Sequence, residues 1–556
     1  VTYAGAAPPP DLLHETPACR IDPERTRLAM HLAFAGGNAG GLFSEALGSA
    51  ALAPSTWDPV YFARDLFLVR FVDALRIDTR QQGAPQSTQH LLRVLSHPPS
   101  SLQTVEFRRA ILRDLVRSPE LRANLTGLYA SLCSVRDLLE SARAGRTLDP
   151  NQRQLDLLAA LKDCFDRLAG DFSAARSGLS RLTSFGEQVK ASEAYRALAD
   201  LLRYDGRLGR VTLQVGVGAD GRIRGFDVVS LAEQTDNPFY NPPWRRWLAQ
   251  LELFLRGYRF GQGEVMARLL DAVFSGLEHE LVCLVQLLGD VEFYLGAMAF
   301  RDRAEAAGLH VCLPELVSPE EPRRLEGLFN PLLLLNGMSP VPCDVRTSQF
   351  ATTTLITGPN SGGKTRLLQS VALAQLLGQS GLFVPARSGA LAPAPALVVS
   401  LIEESRADQA EGRLGLELMR IRSLFERLPP GALVLLDELC SGTNPSEGEE
   451  IFELVVTMLG QLRPQAFITT HFLTFAARLE REHKIPRLSF LQVALGPDRR
   501  ATYQFTAGVA STSLAGHTAE RLGVTGEQLL RLVEQNLLRH RTGSTEAAPG
   551  EPCPPC

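Results

Sequence analysis

From about Tyr61 to Glu305, apolar residues recur at the three-to-four spacing of amphipathic helices. Ile111, Leu115, Leu121, Leu125 and Leu128 share one stripe, and the Ser118-Pro119 break inside it predicts a helix stop and a restart. Leu157, Leu161, Phe165 and Leu168 form another stripe. Between Gly263 and Phe300, Leu270, Leu277, Leu284 and Val291 lie seven residues apart. Over so few heptads a packed bundle helix accounts for this better than a coiled-coil seam. One passage changes period. Val211, Leu213, Val215 and Val217 alternate, Asp220-Gly221 supplies a turn, and Ile223, Phe226 and Val228 follow, which predicts a β-hairpin inside the helical region. Its outward positions include Arg210, Arg222 and Arg224. A solvated face and a DNA-facing finger are both open readings of these arginines.

From roughly Leu313 the rhythm shifts again. Thr352 to Thr357, Ala432 to Leu436 and Gln465 to Thr470 are β-propensity runs, each followed by a polar motif, and helical patterns lie between them. This alternation predicts an α/β domain with a largely parallel sheet. The first sixty residues, rich in Ala, Gly and Pro, have weak periodicity and read as a loosely structured leader. Thr542 to Cys556 read as a disordered tail. Cys553 and Cys556 could be half a zinc site, but no second pair lies near them. Trp244-Arg245-Arg246 reads either as a phosphate contact or as a solvated pair.

Composition narrows the class. With 556 residues, 45% of them apolar and 21% charged, the chain can bury large cores and is too long for one domain. A net charge of −4 excludes a uniformly basic nucleic-acid coat but leaves room for a local basic groove. Nine scattered cysteines are the usage of a reducing compartment, not a disulfide framework. Val1 to Pro10 has no secretory-signal pattern. The most apolar stretch, Leu281 to Phe300, carries Asp290 and Glu292, which a membrane span would not tolerate cheaply. A soluble, cytoplasmic protein with no membrane partner is expected.

The candidate chemistry lies in the α/β half. Gly358-Pro359-Asn360-Ser361-Gly362-Gly363-Lys364-Thr365 follows a β run and opens the helical pattern Leu367 to Leu377. It matches G-x-x-x-x-G-K-[ST] in the strand-loop-helix setting that the chemistry needs. Glycines let backbone N–H groups curl round phosphate oxygens at a helix N-terminus. Lys364 would reach the β/γ-phosphates of ATP and the Thr365 hydroxyl would hold Mg²⁺. Some seventy residues on, Leu433 to Leu436 form an apolar strand ending in Asp437-Glu438. Asp437 would bind Mg²⁺ through water, and Glu438 would polarise the attacking water. Phe467 to Thr470 end in His471, which reads as a γ-phosphate sensor in preference to a structural histidine. This order is that of ATP-binding-cassette-type ATPases, whose site closes between two subunits.

Leu355 to Thr365, Gln379 to Ala386, Leu435 to Gly448 and Thr469 to Phe472 together resemble the MutS family of DNA mismatch-repair ATPases, over about 120 residues. Weaker similarity extends to Asp78-Thr79-Arg80 and Phe107 to Leu139, which resemble the family's helical core and lever. Gly508 to Asn536 resembles its C-terminal helix-turn-helix dimerisation element. The resemblance implies a multidomain chain: an all-α core/lever domain with a small β-hairpin insertion, followed by an α/β P-loop, ATP-binding-cassette-like ATPase domain. In these terms residues 1–60 are the leader, 61–311 the core/lever, 312–541 the ATPase domain and 542–556 the tail.

Departures from the family pattern shape the expectation. Nothing before Tyr61 is long enough for a mismatch-wedge domain, and no Smr extension is seen, so the chain reads as a short member. The signature segment falls by spacing at Glu411 to Glu417, with Gly412 where a serine is expected. Gly412 offers a backbone N–H but no hydroxyl, which predicts slow hydrolysis. Val341-Pro342 stand where an aromatic would stack on adenine. The implied function is an ATP- and Mg²⁺-dependent homodimeric clamp on mismatched, branched or irregular DNA, in mismatch repair. A recombination-related clamp without mismatch specificity, and an ATP-switched regulatory dimer that never touches DNA, are the alternatives.

Overall fold

The computed structural model describes residues 8–36, 40–75, 77, 87–140, 150–206, 209–217, 223–233, 262–401, 413–440, 444–498, 500–511 and 524–543. The helical part comprises α1 (Pro23–Phe34), α2 (Leu42–Gly48), α3 (Leu68–Ala74), α4 (Thr88–Ser96), α5 (Leu102–Arg117), α6 (Pro119–Glu140), α7 (Pro150–Gly170), α8 (Ser180–Ala191) and α9 (Glu193–Gly206). The hairpin β1 (Gly209–Val217) and β2 (Ile223–Glu233) comes next, then α10 (Gln262–Gly276) and α11 (Glu278–Ala306). The chain continues through β3 (Glu315–Leu316), β4 (Arg324–Leu328), α12 (Pro331–Leu335), β5 (Cys343–Arg346), β6 (Thr353–Thr357), α13 (Lys364–Gln379), β7 (Ser388–Leu391) and β8 (Leu397–Ser400). It ends with α14 (Arg413–Arg427), β9 (Leu433–Leu436), α15 (Pro445–Leu462), β10 (Gln465–Thr469), α16 (Leu473–Glu482), β11 (Leu488–Leu495), β12 (Ala501–Ala507) and α17 (Gly526–Gly543).

Two compact units contain these elements. The first is Val1–Ser318, Arg324–Pro340 and Val371–Leu397, and the second is Pro319–Arg323, Val341–Ser370 and Val398–Cys556. In the first unit α6 packs on α7 and α7 on α8. A Cβ on Gly186 of α8 would stand 2.4 Å from the Ala169 backbone nitrogen of α7, so only glycine permits that approach. Helices α5 and α6 break at Ser118 as expected, because Ser118 adopts extended angles and Pro119 opens the next helix. The seven-residue pattern is divided between α10 and α11, which meet at Leu277, and Leu270, Leu277, Leu284 and Val291 are all buried. In the hairpin, β1 and β2 pair antiparallel from Gly209↔Glu233 to Val217↔Ile223, with Arg210 opposite Ala232.

Helix α11 is the core of the first unit. It is long and apolar enough to cross a membrane by composition, yet its whole apolar window is buried in protein. Its two acids have protein partners. Asp290 accepts the Leu12 N–H at 2.9 Å, and Glu292 accepts the Ser87 N–H at 2.8 Å and the Tyr129 hydroxyl at 2.9 Å. Burial raises the pKa of both carboxyls, and for Asp290 the nearby Asp11 adds to it.

The segment before Tyr61 differs from the loosely structured leader that its composition suggests. Leu12, Leu13, Ile21, Met30, Phe34, Phe43 and Trp57 are buried. Side chains from distant helices hold its first stretch. Tyr294 donates to Leu12 O at 2.5 Å, Arg181 to Asp11 O and His14 O at 2.7 Å, and Gln286 accepts the Arg20 N–H at 2.6 Å. A backbone satisfied in this way needs no periodicity of its own.

In the second unit a sheet runs in the order β12-β11-β6-β10-β9-β8. Strands β11, β6, β10 and β9 are mutually parallel and β12 is antiparallel to β11. The inner strands β6, β9 and β10 are buried along their whole length. That explains their largely apolar and β-branched sequences, with Gln465 as the exception. Asp78 to Arg80, Asp220-Gly221, Arg222, Trp244 to Arg246 and the tail beyond Gly543 lie outside the described residues. Thr542, assigned to the tail by composition, still belongs to α17.

His90 gives this fold a pH dependence. Its neutral ring donates from Nδ1 to Leu47 O at 3.1 Å, and burial holds its pKa down at about 4. In the unfolded chain an imidazole titrates near 6.5. As pH falls below that value the unfolded state takes the proton first, so stability is lost between about 6.5 and about 4. Urea unfolding across this window should show the loss, and His90→Gln should shallow the slope.

Candidate nucleotide-binding site

Strand register sets the site. Thr353 to Ile356 of β6 pair with Ala466 to Thr469 of β10, and Gln465 to Ile468 pair with Leu433 to Leu436 of β9. Three loops therefore leave one edge of the sheet side by side: 358–363 after β6, 437–440 after β9 and 470–472 after β10.

The first loop bends sharply at two glycines. Gly358 and Gly363 have φ of +138° and +86°, which L side chains rarely adopt. Space is a second constraint, since a Cβ on Gly358 or Gly362 would come within 2.8 Å of the Val493 side chain of β11. Gly362 N–H closes the turn on Pro359 O at 2.9 Å, and helix α13 begins at Lys364. Pro359 also borders a cleft of ≈ 320 Å³ lined by Gln492, Leu495, Thr506, Ala510 and Ser511.

Lys364, only 4% exposed, folds its ammonium back over the loop. It donates to Gly358 O at 2.9 Å and Pro359 O at 3.3 Å. Burial lowers its pKa, and Glu438 and Asp437 pull in the opposite direction. The Thr365 hydroxyl donates to Asp437 Oδ2 at 2.5 Å. The other carboxylate oxygen, Oδ1, receives the Thr469 hydroxyl at 2.5 Å, and that same hydroxyl accepts the Glu438 N–H at 2.8 Å. Thr469 thus fixes both acidic residues from the neighbouring strand. Sequence alone does not single out Thr469; the signal that could find it is a hydroxyl at the end of a strand that pairs with the Asp-Glu strand.

Glu438 and Cys440 take positive φ, +50° and +62°, where a non-glycine residue is uncommon. Asn360 and Ser361 are exposed at the loop tip. His471 is exposed too, its ring centroid 4.2 Å from that of Phe472. Thr365 and Asp437 offer the oxygen donors that Mg²⁺ takes, and the glycine turn with its buried lysine suits phosphate. The residues fit a Mg²⁺–nucleotide group.

Residues 354–536 match the family described as MutS domain V. An Endonuclease MutS2 of Streptococcus thermophilus (strain CNRZ 1066) is 27% identical over 451 residues, 75% of this chain and 55% of that protein. One from Streptococcus mutans is 26% identical over 446 residues, 74% and 55% of the two chains. One from Thermomicrobium roseum is 32% identical over 238 residues, 40% and 29%. Residues 354–536 are thus a MutS-family domain V. The chain spans about half the length of the curated relatives it matches.

Other positions singled out in the sequence are placed less closely. Val341 is exposed, and Pro342 O accepts from Gln504 Nε2 of β12 at 2.8 Å. Glu411 and Gly412 lie outside the described residues, and α14 starts just after them. After β12 the chain returns to the loop, where the Ala510 N–H donates to the Thr357 hydroxyl at 2.9 Å.

Thr469→Val keeps the shape and removes the hydroxyl shared by Asp437 and Glu438. It should lower stability by about 1–2 kcal/mol in denaturant unfolding. An unchanged midpoint would show that the hydroxyl does not hold the acidic pair.

Proposed function

We propose that this chain is an ATP-driven switch of the MutS type that grips DNA as a homodimer in the cytoplasm. The convergence of the glycine loop, Lys364-Thr365 and the Thr469-tethered Asp437-Glu438 pair at one sheet edge carries this reading. In it, the amides of Gly358, Pro359-flanked Asn360, Ser361, Gly362 and Gly363 bind phosphate oxygens, and Lys364 swings from its carbonyls to the β/γ-phosphates. Thr365 and Asp437 hold Mg²⁺, Glu438 polarises the attacking water and His471 faces the γ-phosphate. Bound Mg²⁺ and ATP supply the electrophilic phosphoryl group and the charge that offsets its oxygens.

Two further observations support the dimer and the DNA side. Helix α17 exposes Leu529, Leu530, Leu532, Val533 and Leu537, an apolar surface that suits association with a second copy. Arg210 and Arg224 lie on the hairpin strands, and Arg222 directly precedes the second strand in sequence. Such arginines give salt-dependent affinity for phosphate without reading sequence. The favoured DNA is mismatched, branched or otherwise irregular duplex.

The test is a binding panel of matched duplex, G·T-mismatched duplex and four-way junction, each with and without ATP. The wild type should change its affinity for irregular DNA on ATP addition. Lys364→Ala should lose ATP binding and that response, and Glu438→Ala should bind ATP without turnover. Replacing Arg210, Arg222 and Arg224 together should weaken all duplexes alike. A preference for the mismatch would assign mismatch recognition, and one for the junction a recombination-type clamp. No DNA binding under any condition would leave the regulatory-dimer reading.

Assembly is tested separately. Leu530→Asp combined with Leu537→Asp should give a monomer by sedimentation, with ATP turnover reduced because the site closes between subunits. An unchanged dimer would remove α17 from the interface.

A further inference from the structure

We propose that Arg108 is a positioning residue that couples the nucleotide loop to the helical unit, by gripping the far end of α13. The inference rests on the nucleotide-site reading above and adds to it a specific mechanical link.

Helix α13 begins at the loop with Lys364 and runs sixteen residues, about 24 Å, to Gln379. From Val371 onward it is part of the first unit. Its far end is held there on several sides. Gln375 donates to Ala392 O at 2.9 Å, and Gln379 exchanges hydrogen bonds with Ala394 N and O at 3.0 and 2.9 Å. Leu377, Leu382 and Phe383 line one small cavity with Phe71, Leu91 and Phe293.

Arg108 of α5 stands at this end. Its Nη1 donates to Ser380 O at 3.1 Å and its Nε to Leu13 O at 3.0 Å, and its guanidinium lies 5.2 Å from the centre of the Phe293 ring. Gly381, at φ +83°, brings the turn so close to α5 that a Cβ would stand 3.0 Å from Arg108 Cβ and Val105 O. Two carbonyls hold this fully buried charge, one just past the end of α13 and one in the stretch Asp11 to Arg20, the N-terminal strap that distant helices hold in place. Burial depresses its pKa, so keeping it charged there carries an energetic penalty that an apolar side chain of similar size would not. Packing alone does not call for an arginine. A bridge between two backbone segments does, because the planar guanidinium can donate to both at once.

The strap end of this bridge is itself tied to α11 through Asp290 and Tyr294. An axial shift of α13 on nucleotide binding would therefore reach Leu13 through Arg108, and α11 through Leu12. Hydrogen–deuterium exchange of the full chain, with and without AMP-PNP and Mg²⁺, tests this. In the wild type, nucleotide should change exchange at amides 11–15 and 377–383 by about fivefold or more. Arg108→Lys and Arg108→Met should bind AMP-PNP within about twofold of wild type and lose the response at 11–15. A merely structural role would change exchange equally with and without nucleotide. Wild-type binding of AMP-PNP without any response at 11–15 would overturn the coupling and leave the nucleotide site standing; this comparison needs no variant. A response retained in both variants would also overturn it. Failure of the wild type to bind AMP-PNP would overturn both readings.

Discussion

Parallel pairing of β6, β10 and β9, with their carboxyl ends level, is the constraint on which the site depends. A slip of one residue would turn each strand's side chains to the opposite face. Thr469 would then point away from Asp437, and the Glu438 N–H would lose its acceptor. All three strands are buried throughout, and the acidic residues stand only where the chain leaves β9. The positive φ at Glu438 and Cys440 belongs to the same economy of space: the chain must turn off β9 at once to keep its acids beside Lys364.

The helical unit solves a different problem. Its central helix is surrounded by protein and still carries Asp290 and Glu292. Each becomes an acceptor for backbone that has no ladder of its own, Leu12 in one case and Ser87 in the other. Buried carboxyl groups here serve to pin irregular chain onto a regular core. Arg108 and Arg181 work in the complementary sense, as donors to carbonyls of the same strap.

Much of this was legible in the sequence, for identifiable reasons. Helix stripes, the hairpin and the three site strands carry their own periodicity, so Leu157 to Leu168 or Leu433 to Leu436 announce themselves. The glycine loop was legible because φ and contact constraints at Gly358, Gly362 and Gly363 leave few other residues possible. The strap was not, because its order comes from Gln286, Asp290 and Tyr294, more than 260 residues away. The role of Thr469 was hidden too, since it depends on which strands are neighbours. Unit boundaries were illegible for a similar reason: Val371–Leu397 leaves the second unit's stretch of chain to complete the first.

That interleaving, together with the strap, bears on how the chain acquires its structure during synthesis. The bond from Leu12 to Asp290 spans 278 residues, and Val371–Leu397 is required to finish the same unit. The strap must therefore wait unsatisfied until α11 is made, and the unit stays incomplete until the ribosome has also made the glycine loop and α13. At a translation rate of roughly 5–20 residues per second, that wait is on the order of tens of seconds. The strap's buried leucines would be open to chaperones throughout it. High sequence separation slows such closures further. Completion of the helical unit thus waits on a segment made after the nucleotide loop.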